Sequence, residues 1–113
     1  MTGCYIIAPP TLNKLIQMEI QNFMADIFAE IYHGRKEYLF SPEKEIDFII
    51  TKRNKPVCVG EVKWGKVKRE HLKRFENNTE KFSCDKVLVG KSADLKHLGI
   101  QIYSPKDILE LVK

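Results

Sequence analysis

An α/β fold, a mixed central β-sheet flanked by α-helices, is what this sequence predicts, and three observations carry the expectation. An apolar stripe at helical spacing runs from Thr11 to about Tyr32. Two β-branched runs, Glu45–Thr51 and Val57–Lys63, follow with only a short polar connection between them, as in an antiparallel hairpin. Beyond them strand-like and helix-like segments alternate, a pattern that covers both faces of a sheet.

Each element has a local reason. Tyr5-Ile6-Ile7-Ala8 reads as a short strand stopped by Pro9-Pro10, neither of which brings a backbone donor to a ladder. Thr11 is placed to cap the first helix, and His33-Gly34 to end it. Its inward stripe is Ile16, Ile20, Phe23, Met24, Ile27, Phe28 and Ile31, with Glu19, Asp26 and Glu30 along one flank. Glu37–Phe40 is expected as a strand, Ser41–Lys44 as a turn, and Lys52–Pro56 as the polar turn of the hairpin. A second helix is expected from Gly65 to about Phe82, with Val67, Leu72, Phe75, Thr79 and Phe82 inward and most of its lysines outward. Asp85–Val89 follows as a buried strand, Ser92–His97 as a short helix and Ile100–Tyr103 as a strand. Ser104-Pro105 then opens a last helix to Lys113, with proline at the first position, where its missing N–H costs nothing. No repeat, low-complexity tract or linker interrupts this order, so residues 1–113 are expected to form one domain.

The chain of 113 residues is 43% apolar and 30% charged, the composition of a globular protein rather than a disordered or fibrous one. It has no apolar run of membrane-spanning length and no signal-peptide pattern, so no membrane partner is expected. Cys4, Cys58 and Cys84 are odd in number and lack CxxC spacing, which argues against a disulfide framework and a structural zinc and suits a reducing cytoplasm. They are expected as small buried apolar residues. The net charge is only +4, but it is clustered. Between Lys63 and Arg74 lie Lys63, Lys66, Lys68, Arg69, Lys73 and Arg74, against the single acid Glu70. A run of this kind is usually a solvated helix face; its place just after the hairpin favours contact with a nucleic-acid backbone.

The stretch Val59-Gly60-Glu61-Val62-Lys63-Trp64 carries two opposite charges in an otherwise apolar strand. Glu61 and Lys63, two residues apart, share a face. If the connection closes so that paired residue numbers add to 108, Asp47 lies opposite Glu61; a total of 110 puts it opposite Lys63. Either way an odd-length loop, or an even one corrected by a bulge, gathers Asp47, Glu61 and Lys63 on one face. Two adjacent carboxylates repel each other, and a hard divalent cation, Mg²⁺ or Mn²⁺, resolves that through oxygen ligands. Such an ion with a neighbouring lysine suits hydrolysis of a phosphodiester. The plain alternative is a salt bridge in a half-exposed hairpin.

Asp47 followed across a hairpin by Glu61-Val62-Lys63 resembles the PD-(D/E)xK nuclease superfamily, whose fold is restriction-endonuclease-like. The resemblance spans about Thr11 to Tyr103 and implies a metal-dependent DNA endonuclease. Asp47 and Glu61 would hold the metal, Lys63 would be the catalytic lysine, and an acid of the first helix would complete the set. Met18-Glu19-Ile20-Gln21-Asn22-Phe23 nominates Glu19 for that role, with Glu30 as its rival. Glu45-Ile46-Asp47 and Gly60–Trp64 are similar to the C-terminal nuclease-like domain of archaeal ATPases, and more distantly to archaeal Holliday-junction resolvases. Ile46 stands where the superfamily has proline. The implied partners are duplex or branched DNA, gripped by Lys66, Lys68, Arg69, Lys73 and Arg74, with a second copy of the chain and an ATPase as further candidates. No GxxxxGK[ST] motif occurs. A nuclease-like module that binds DNA or regulates an ATPase without cutting is the alternative function. Trp64 is expected to pack rather than stack on bases, and His71 and His97 to lie at the surface.

Overall fold

A computed structural model describes residues 12–37, 46–91 and 95–112. The expected Tyr5–Ala8 strand, the Thr11 cap and the Ser41–Lys44 turn lie outside these residues. Helix α1 (Leu12–Ile31) precedes strands β1 (Arg35–Glu37), β2 (Phe48–Lys52) and β3 (Lys55–Lys66). Helix α2 (Arg69–Asn78), strands β4 (Asp85–Lys91) and β5 (Gln101–Tyr103), and helix α3 (Pro105–Leu111) complete the order. The described strands form one sheet in the order β1-β2-β3-β4-β5, the order of the chain itself. β1, β2 and β3 pair antiparallel, while β3, β4 and β5 pair parallel, so the sheet is mixed as expected.

The core divides into two layers. Met24, Ala25, Ile27 and Phe28 of α1 pack on Phe48, Ile50, Cys58, Val87 and Val89, joined by Ile108 of α3. On the opposite face Leu72 and Phe75 of α2 meet Ile49, Val59, Val67 and Leu88. Alternation along each strand therefore feeds both layers, which is why these strands read as continuous apolar runs. Phe28 and Phe48 stack with ring centroids 5.6 Å apart, so α1 grips β2 one residue beyond Asp47.

α1 ends as its sequence implies, in a Schellman motif. The Gly34 N–H donates to Ala29 O at 2.9 Å and the His33 N–H to Glu30 O at 3.2 Å, with His33 itself in the left-handed region at φ 54°. The apolar stripe is buried at Met24, Ile27 and Phe28. Ile16, Phe23 and Ile31 are exposed although they fit the period, Phe23 and Ile31 each bordering a cleft rather than packing into the core. The cap of α3 is as expected: Ser104 Oγ accepts from the Asp107 N–H at 3.2 Å, and Asp107 Oδ2 accepts from the Ser104 N–H at 2.8 Å.

Other boundaries move. The first described strand is Arg35–Glu37, and residues 38–40 of the expected Glu37–Phe40 strand lie outside the described residues; β2 begins at Phe48, with Ile46 and Asp47 before it not in the strand. Gly65 does not open a helix. β3 continues through it to Lys66, the Val67 N–H donates to Lys91 O, and Lys68 is the extended N-cap of an α2 that stops at Asn78 rather than Phe82. Leu72, Phe75 and Thr79 face inward as expected. Leu95, Lys96 and His97 form no helix; His97 instead makes an isolated bridge to Ile100.

Candidate functional site

The register between β2 and β3 decides whether Asp47 can meet Glu61. Arg53 and Asn54 form a two-residue turn, with φ of 55° and 65°, an even connection of the primed type that matches strand twist. The partners next to it, Lys52↔Lys55 and Thr51↔Pro56, have numbers adding to 107. Continued, that register would leave Asp47 facing Gly60. A bulge at Val57 shifts it, so Ile50↔Cys58, Ile49↔Val59 and Phe48↔Gly60 add to 108. Asp47 thereby comes opposite Glu61, through the bulged even loop rather than the odd one.

Side chains close the arrangement. Asp47 Oδ2 accepts the Val62 N–H at 2.7 Å, and the Asp47 N–H donates to Gly60 O at 2.9 Å, so the aspartate is tied to both sides of Glu61. The Lys63 ammonium lies 3.1 Å from Glu61 Oε1. The Glu61 side chain is only 5% exposed and that of Lys63 22%. A nearly buried carboxylate needs such a partner. Gly60 makes room for the Phe48 ring here: a Cβ on it would fall 2.1 Å from that ring.

A second irregularity lies on the other side of β3. Its partners in β4 are offset by 27 at Val62↔Val89 but by 25 at Lys66↔Lys91, so β3 carries two extra residues across Lys63–Gly65. Opposite this excess sits Gly90, where a Cβ would meet Val67 Cγ2 at 2.8 Å and Lys63 Cβ at 3.3 Å. The Glu61–Lys63 segment is thus bordered by a bulge on each edge of one strand. Bulges re-aim side chains, and they concentrate beside functional sites. The second was not legible in the sequence, whose only hint is the pair Gly65 and Gly90.

Glu19 is exposed on α1 and is not drawn into the Asp47–Glu61–Lys63 group. Its neighbours Ile20 and Phe23 do line the same cleft as Lys63. Glu30 borders a different cleft with Leu111 and Val112, about 16 Å along the helix at ~1.5 Å per residue. The third acid of that flank, Asp26, pairs with Lys36 of β1 at 2.8 Å. Lys66, Lys68, Arg69, Lys73 and Arg74 are all exposed, from the end of β3 through α2. His71 accepts the Lys68 N–H at Nδ1, 3.1 Å away, and so caps α2. His97, half-buried, is bonded to Glu76.

Asp47 and Glu61 offer the hard oxygen donors that Mg²⁺ or Mn²⁺ takes. Among the described residues no group of three or more His, Cys, Asp or Glu is placed to hold a metal. Two carboxylates with waters and substrate phosphates are nonetheless a usual magnesium environment, so these residues fit such an ion. Comparisons with protein-family models, with curated proteins and with solved structures give no match. No described helix is long and apolar enough to cross a membrane.

Proposed function

We propose that this protein is a metal-dependent DNA endonuclease of restriction-endonuclease-like fold, hydrolysing phosphodiester bonds at Asp47, Glu61 and Lys63. The observation that carries the reading is the bulge-corrected register, which sets Asp47 opposite Glu61 while Lys63 reaches the same carboxylate. Asp47 and Glu61 would hold the divalent cation, which when bound supplies charge neutralisation on the phosphoryl oxygens and acidification of the attacking water. Lys63 would turn from Glu61 to the substrate, placing its ammonium where negative charge develops. Lys66, Lys68, Arg69, Lys73 and Arg74 extend a cationic track from that point along which a DNA backbone can run.

The test is Mn²⁺-dependent nicking of plasmid and branched DNA. Wild type is expected to cut, and Asp47→Ala and Lys63→Ala to lose at least ~100-fold of the rate, the scale of removing one charge-stabilising group. Activity surviving both substitutions, or no activity on any substrate, overturns the reading. One observation favours the second reading, a non-catalytic DNA-binding or ATPase-regulating module. The Lys63–Glu61 ion pair gives the buried carboxylate a cationic partner without any metal ion. That module would bind DNA equally well with and without Mn²⁺.

A further inference from the structure

A cleft of about 390 Å³ opens beside the proposed site, at the carboxyl ends of the parallel strands β3 and β4. That volume lies in the ~300–1,000 Å³ range of small-ligand sites, and strand carboxyl ends are where open α/β sheets bind ligands. Its walls are apolar: Ile20, Phe23 and Met24 of α1 face Val62 and Val89. Phe23 is 54% exposed, which leaves its ring open to a ligand. The rim is cationic. Lys63 and Lys91 line it, and Lys91 is the registered partner of Lys66, so two exposed ammonium-bearing residues stand side by side on adjacent strands. Like charges so placed repel each other, and neither lysine has an acidic partner among the described residues. An anion between them removes that repulsion.

An apolar slot with an open aromatic wall and a cationic lip complements a flat base carrying a phosphate. We propose that the cleft receives one unstacked nucleotide of single-stranded DNA, its base against Phe23 and its phosphate between Lys66 and Lys91. The proposal deepens the nuclease reading and rests on it, and it narrows the substrate class to DNA with a single-stranded tail or junction beside the cleavage point. A base held in a closed stack cannot enter.

The experiment measures fluorescence anisotropy of a labelled duplex, blunt or with a single-stranded tail, in EDTA so that no strand is cut. Tailed DNA is expected to bind on the order of tenfold more tightly than blunt. Phe23→Ala should abolish that preference and leave blunt binding unchanged, with an unaltered circular dichroism spectrum. Lys91→Glu should weaken the tailed complex more than the blunt one. Asp47→Ala should keep the tail preference while losing Mn²⁺ cleavage, which separates failure of this proposal from failure of the nuclease reading. Equal affinity for both DNAs, equal weakening of both by Phe23→Ala, or no binding overturns the assignment. So does self-association through the cleft that is abolished by Phe23→Ala and unaffected by tailed DNA.

Discussion

Gly60 shows how much of this site depends on a missing side chain. The Phe48 ring occupies the space where a Cβ would sit, and the same ring stacks on Phe28 behind Asp47. Gly60→Ala is therefore expected to cost about 1–3 kcal/mol, the price of overpacking, and to push Asp47 out of reach of the Val62 N–H. Urea denaturation measures the first effect and loss of Mn²⁺ affinity the second. Lys63 makes the complementary case. Lys63→Met would take the ammonium from a nearly buried Glu61 carboxylate, whereas Lys63→Met combined with Glu61→Gln should recover part of the loss. Denaturant midpoints of the three variants check this: if the double variant is no more stable than the single, the ion pair is not what holds Glu61. The sequence made these three residues legible because strand alternation is simple arithmetic. Glu19 shows the limit of such arithmetic, since spacing along α1 does not say which part of the helix a partner covers.

At the scale of elements, the turn between β2 and β3 is strained by its residues. Arg53 and Asn54 both hold positive φ, a conformation that favours Asn-Gly. Asn54→Gly should raise stability by up to about 1 kcal/mol, read as a higher urea midpoint with an unchanged slope. The N-terminus of α3 supplies a pH dependence. The backbone and side-chain hydrogen bonds to Ser104 hold the Asp107 carboxyl below its ordinary value of 3.8. A depressed carboxylate contributes its stability in full above that ordinary value and loses it as pH falls through the folded one. Asp107→Asn should thus flatten the acid limb of the stability curve below about pH 4, measured by thermal melts across that range. Helices α1 and α3 were legible because caps and punctuation mark them. α2 began later than its apolar pattern suggested because Val67, buried just before the helix, fits either period. The strand excess that carries Lys63–Gly65 has no propensity signature of its own.

For the whole molecule, the two-layer core sets which groups are chemically available. Cys58 lies fully buried between sheet and α1, and burial pushes its thiol up to about 12. At pH 8 it stays protonated and unreactive, so pulsed alkylation followed by mass spectrometry should label it only at the rate of global opening. Cys84, half-buried, should label faster. Labelling of Cys58 well ahead of global unfolding would mean the sheet opens in parts. The α/β class was legible from alternation alone, because strands fed by two layers read as unbroken apolar runs. Which layer each helix joins was not, since that depends on twist and register.

The identity of strand order and chain order has a further consequence for synthesis. Each described strand leaving the ribosome after β1 finds its neighbour already made, and no described strand is threaded between two earlier ones. Asp47, Glu61 and Lys63 have all emerged once β3 is out, well before β4 arrives to pair Leu88 with Glu61. A nascent chain halted there would show its acidic pair to water, and only the arrival of β4 and α2 would seal it.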